Sequence, residues 1–137
     1  MPIIPQWYDD DKTVYLLHFT PGNVLNWDEY RQAIAYAIAD VRTVQHPVII
    51  YLDSDETPMP PGNPLPHVRH ALNNAPDNVV AVVNIVNNRF VASILGWLTK
   101  IGPYDWFHIV RSKEEAETLI ARIQSMHFEK KNAHPVD

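Results

Sequence analysis

Val79-Val80-Ala81-Val82-Val83-Asn84-Ile85-Val86 is the strongest strand signal in the chain, and it predicts a central strand. Asn87-Asn88 follow as caps of a helix from about Arg89 to Ile101, which Gly102-Pro103 ends. Upstream, Val48-Ile49-Ile50-Tyr51-Leu52 is apolar on both faces, as a strand buried between helix layers must be. Asp53-Ser54-Asp55-Glu56 closes it. Two doubly buried strands with a helical segment between them define an α/β fold with parallel pairs.

Working outward, Asn63-Pro64 reads as a cap with proline in the first turn, and Leu65, Val68 and Leu72 mark a short helix to about Asn74. Asn26 with Glu29 forms a capping box, and Trp27, Tyr30, Ile34, Ile38 and Val41 recur at helical spacing. His46-Pro47 ends that segment, because the residue before proline avoids helix. Trp7-Tyr8 and Thr13 to Thr20 are β-rich and flank Asp9-Asp10-Asp11-Lys12, a hairpin turn. Phe107-His108-Ile109-Val110 is the last strand. Ser112-Lys113-Glu114-Glu115 is a second capping box, launching a helix with Ala116, Leu119, Ile120 and Ile123 inward. The predicted architecture is one domain over residues 1–137, with a core at about 5–124 and a polar, frayed tail from 125. It is a mixed β-sheet with an N-terminal hairpin and then β-α units, flanked by four helices, in the order ββαβαβαβα.

Composition narrows the function. The chain has 137 residues, enough to bury about 68% of its unfolded surface without staples. There is no cysteine, so disulfides, thiolate catalysis and Cys-based metal centres are excluded. The net charge of -5 argues against nucleic acid or an anionic membrane as the main partner. No signal peptide or membrane span is read, so a cytoplasmic location is expected.

Several stretches carry a resemblance in their order and spacing. They are Trp27-Asp28-Glu29-Tyr30-Arg31, His46 to Asp53, Pro66-His67-Val68-Arg69-His70-Ala71-Leu72, Asn88-Arg89-Phe90-Val91 and Phe107 to Ala116. With these the chain, over roughly residues 5 to 124, resembles the STAS fold of anti-sigma-factor antagonists. More narrowly, it is similar to uncharacterised bacterial STAS-like proteins. The resemblance implies a mixed sheet flanked by helices, no chemistry of its own, and binding of a protein partner. Antagonist members are switched by phosphorylation of a Ser or Thr at the start of the second helix. This chain reads Asn63-Pro64-Leu65-Pro66 there and offers no hydroxyl; Ser54 and Thr57 are the nearest. Related folds include lipid-binding members.

Candidate sites are few. Thr20, Asp53, Ser54, Asn87, Asn88 and Arg89 lie at carboxyl ends of strands, where open α/β sheets bind ligands, and form a candidate rim for a small apolar or anionic ligand. The same residue types are also what turns and caps require. His67 and His70, three apart, have the spacing of two metal ligands; no carboxylate sits in the same helical turn, Asp53, Asp55 or Glu56 being acids that could approach as a third, and a solvated polar face is the alternative. His18 and His108 are expected to be packed within strands. No nucleophile elbow, dinucleotide fingerprint, P-loop or zinc-protease motif is present, so neither a catalytic residue nor a cofactor is expected.

On the helix at 89–101, Phe90, Val91, Ile94, Leu95, Trp97, Leu98 and Ile101 span about 160°, wider than the stripe one sheet face covers. Trp97 or Leu95 should protrude. Phe90, Ile94, Leu95, Trp97, Leu98 and Ile101 are therefore a candidate interface with a second copy in a homodimer, or with another protein.

Overall fold

The computed structural model describes residues 2–20, 26–54, 60–101 and 103–129. Its elements run β1 (Ile3–Trp7), β2 (Val14–Phe19), α1 (Trp27–Val41), β3 (Val48–Asp53), α2 (Leu65–Asn73), β4 (Val79–Ile85), α3 (Arg89–Ile101), β5 (Phe107–Val110) and α4 (Lys113–Gln124). This is the α/β order ββαβαβαβα that the sequence predicts. The strands lie side by side as β1-β2-β3-β4-β5; β1 is antiparallel to β2 and the other pairs are parallel. β3 therefore holds the middle position that the sequence assigned to β4, which lies beside it.

The layering follows from topology. Parallel strands added in one direction, each through a crossover of the preferred hand, send their helices to the same face. Accordingly α1, α2 and α3 pack with Tyr15, Leu17, Ile50, Leu52, Val82 and Phe107 on one face. α4 follows the last strand, makes no crossover, and covers the other face over Val14, Leu16, Ile49, Tyr51, Val83 and Ile85. Strand alternation splits β3 and β4 between the two cores, which is why both strands are apolar throughout.

Local chemistry sets the element ends. Asp9 Oδ1 accepts from the Thr13 and Val14 amides at 2.8 and 3.0 Å, and Lys12 takes φ 58°, so the acidic turn closes on its own side chain. Asn26 Oδ1 accepts from the Glu29 amide at 2.8 Å, Asn88 Oδ1 from the Phe90 amide at 2.9 Å, and Ser112 Oγ from the Glu115 amide at 3.1 Å. Each satisfies an N–H that the helix itself leaves open.

Three boundaries differ from the sequence reading. β1 starts at Ile3, four residues before the expected strand, because Pro5 is tolerated on an edge strand. Asn63 caps one residue out of register: its Oδ1 accepts from the Leu65 amide at 3.1 Å, and Pro64 is the flanking residue. The chain does not fray at Ser125 but continues in a π-helical turn, Ser125–Glu129. Among the described residues no helix is long and apolar enough to cross a membrane.

Candidate functional site

α1 and α2 leave a crevice above the sheet. Ile34, Ile38 and Val41 wall one side, Val68 and Leu72 the other, and Leu52 and Val82 are on its floor. Its volume is about 40 Å³. Two residues with polar side chains are among those lining this otherwise apolar space, Tyr30 from the first turn of α1 and Asn84 from β4. Each residue is 7% exposed. Neither side chain has a hydrogen-bond partner among the described residues. The polar atoms of Tyr30 and Asn84 stay reachable by water; among the described residues the fully buried side-chain atom without a partner is Glu29 Oε2, in the same first turn of α1. Burial also raises the Tyr30 phenol well above its ordinary range, keeping it protonated.

The contrast with chemically equal neighbours is direct. Tyr15, on the same face, donates to Asp40 Oδ2 at 2.5 Å. The Asn78 amide reaches the carbonyls of Val41, Val44 and His46 at 3.2, 3.2 and 3.1 Å, closing the far end of α1.

The Tyr30 end is braced by aromatic contacts. Trp27 meets Tyr30 edge-on at 5.2 Å and stacks on His67 at 4.4 Å with the rings 3° from parallel. Trp27 Nε1 donates to the Pro61 carbonyl at 3.0 Å, and Arg31 Nε donates to His67 Nδ1 at 3.0 Å. Burial, reinforced by the Arg31 charge, holds His67 below the usual imidazole range, as a neutral acceptor requires. His67 thus joins α1 to α2. His70, expected beside it, faces the outer grooves on either side of α2. Among the described residues no three His, Asp or Glu side chains gather as metal ligands. Asp55, Glu56 and Thr57 lie outside the described residues.

The candidate rim divides. Asp53 is 6% exposed and turns to the α4 face, where its Oδ2 lies 3.5 Å from His18 Nδ1 and 3.4 Å from Lys113 Nζ. His18 and Asp53 are register partners on β2 and β3, so the pairing follows from strand alignment. Ser54 Oγ donates to the Ile85 carbonyl at 2.8 Å, tying β3 to β4. Asn88 caps α3, the Thr20 amide donates to the Pro2 carbonyl at 2.8 Å, and Asn87 and Arg89 are exposed. These residues share the carboxyl edge, but none lines the crevice.

The candidate interface also divides. Phe90 is 73% and Trp97 54% exposed, with Ile94 half-buried between them at helical spacing. Leu95 and Leu98 are buried in the core, so of the two residues expected to protrude only Trp97 does. The Ile101 side chain lies outside the description. The sequence reading missed Asn84 and counted Tyr30 only as part of an apolar stripe. The available signal was the lone polar residue inside Val79–Val86, since a polar group in a buried strand is the informative exception.

No protein-family model, curated protein or solved structure matches this chain.

Proposed function

We propose that this chain is a small-molecule-binding domain, not an enzyme, and that its ligand occupies the crevice between α1 and α2. The observation that carries the reading is Asn84, a carboxamide 7% exposed, unpartnered among the described residues and facing an apolar space. A ligand that hydrogen-bonds there meets a carboxamide that no described side chain or backbone group answers. The cytoplasmic, bacterial setting expected from the sequence is kept in this proposal. Protein-observed NMR against a panel of small neutral, acidic and basic organic compounds tests it. Binders are expected to move the Asn84 side-chain amide signals, and Ala71→Leu, which fills the crevice wall, is expected to cancel the response. A panel in which no compound moves those signals overturns the reading.

A second reading is favoured by Phe90, Ile94 and Trp97, an apolar stripe at i, i+4 and i+7 on α3 with both ends exposed and Ile94 half-buried. Here the chain is a STAS-like interaction module that forms a homodimer or docks another protein through that stripe. Sedimentation of Trp97→Glu is expected to show a smaller species than the parent chain with an unchanged circular dichroism spectrum. An unchanged mass overturns self-association through α3.

A further inference from the structure

We propose that the groove between α2 and α3 is a second site, separate from the α1–α2 crevice, and that it takes a flat aromatic anion, a planar ring bearing one carboxylate or phosphate. The ring stacks on Trp97 and the anionic head meets Arg69.

Helical spacing builds the groove. Leu65, Arg69 and Asn73 recur at every fourth residue of α2 with Pro66 and His70 beside them, so they form one face of that helix. Trp97 and Leu98 line the groove from α3, and Pro103-Tyr104 line it from the chain just beyond. The Tyr104 hydroxyl donates to Asn73 Oδ1, which ties the two walls together. The volume is about 800 Å³, inside the range of about 300–1,000 Å³ for sites that hold whole organic molecules.

Charge selects an anion. The chain carries a net charge of -5, yet among the described residues no Asp or Glu lines the groove, while Arg69 and His70 do. Arg69 has no ion-pair partner among the described residues, in contrast to Lys113, which meets Asp53. A guanidinium offers a carboxylate or a phosphate two parallel N–H donors. The Asn73 oxygen is spent on Tyr104, which leaves its amide nitrogen as a further donor.

Trp97 selects a flat ring. It is 54% exposed, whereas the other three tryptophans are half-buried. Trp27 and Trp106 donate their indole N–H groups to the Pro61 and Pro103 carbonyls at 3.0 and 3.1 Å, and Trp7 meets Tyr15 edge-on at 5.0 Å. Trp97 makes no hydrogen bond or ring contact among the described residues. An indole open to water beside a guanidinium is a stacking platform for an aromatic ring whose charge the guanidinium answers.

The test is an NMR titration of the full chain at about pH 7.5, where a carboxylic acid is ionised. The probes are 2-naphthoate, 2-naphthyl phosphate, the uncharged 2-naphthamide and the non-aromatic cyclohexanecarboxylate. Naphthoate and naphthyl phosphate are expected to move the Trp97 indole signal and the Arg69 and His70 amide signals, and the tighter of the two assigns the head as carboxylate or phosphate. Naphthamide is expected to bind about ten-fold more weakly and cyclohexanecarboxylate about five-fold more weakly. Arg69→Gln is expected to weaken naphthoate by about ten-fold and to leave naphthamide unchanged, and Trp97→Leu to weaken both by about five-fold. Both side chains are exposed, so both variants keep the fold. Raising the salt to about 0.5 M is expected to weaken naphthoate alone. If neither naphthoate nor naphthyl phosphate moves these signals, the site proposed here falls, and the crevice reading stands or falls separately on the Asn84 signals. If naphthamide or cyclohexanecarboxylate binds as well as naphthoate, or neither variant changes the naphthoate affinity, the assignment to an aromatic anion is wrong.

Discussion

The two faces of the sheet differ in how completely their polar side chains are paired: the α1–α2 face has pairs such as Tyr15 with Asp40, but it also holds Tyr30 and Asn84. Under α4, the Tyr8 hydroxyl donates to Glu117 Oε1 at 2.9 Å, the Gln124 amide donates to Thr13 Oγ1 at 3.1 Å, and Asp53 lies between His18 and Lys113. Glu117 also raises the Tyr8 phenol above its ordinary range. Under α1 and α2, Tyr30 and Asn84 are left without partners among the described residues. A fold that has already paired its polar groups on one face has no structural use for them there beyond stability. Under the proposed function, the unanswered groups beside the crevice are the ones a ligand would meet.

The largest test of this contrast is on the paired face. Asp53→Ala leaves the Lys113 ammonium and the His18 imidazole without their carboxylate. It is expected to cost about 2 kcal/mol in urea unfolding, below the usual cost of a broken buried pair because Lys113 is 57% and His18 34% exposed. A loss below about 0.5 kcal/mol would show that the α4-face cluster is solvated, and would erase the distinction between the faces. On the crevice face the expected sign reverses. Asn84→Leu removes an unanswered carboxamide and is expected to raise stability by about 1 kcal/mol. A loss of the same size would mean that Asn84 is satisfied in solution by ordered water.

The smallest effect is acid sensitivity, and it is expected on both faces. Partial burial holds His108 on β5 below the usual imidazole range, with Asp105 opposing, and His67 is lowered as well. In the unfolded chain each takes a proton near pH 6.5, while in the fold each stays neutral to lower pH. The unfolded state therefore binds more protons as the pH falls through that region, and stability declines. Replacing His108 with Gln is expected to flatten the acid side of the stability profile and leave the neutral side unchanged. A profile that stays equally steep assigns the acid sensitivity elsewhere.

Much of the fold was legible in the sequence because its signals are local. Asn26, Asn88 and Ser112 cap helices through bonds that reach at most three residues, and the doubly apolar strands announce two covering layers. The candidate site was not legible to the same degree. Asp53 reads as a turn residue at a strand end, and only the β2–β3 register shows that it turns to His18. Leu95 and Trp97 belong to one wide apolar arc, and only the packing of α3 decides that the first is buried and the second exposed.

The sequence by itself determined the alternation of strands and helices, the helix starts at Trp27, Arg89 and Lys113, and the apolar character of both sheet faces. The tertiary structure decided which polar groups are answered. Asp53 meets His18 and Lys113, and Asn78 meets Val41, across long stretches of chain, while Asn84 and Tyr30 line the crevice with no side-chain hydrogen-bond partner among the described residues. The physical reason is range. Periodicity and capping act within a few residues, but a buried hydrogen bond depends on which distant segment the register and layering bring within about 3 Å.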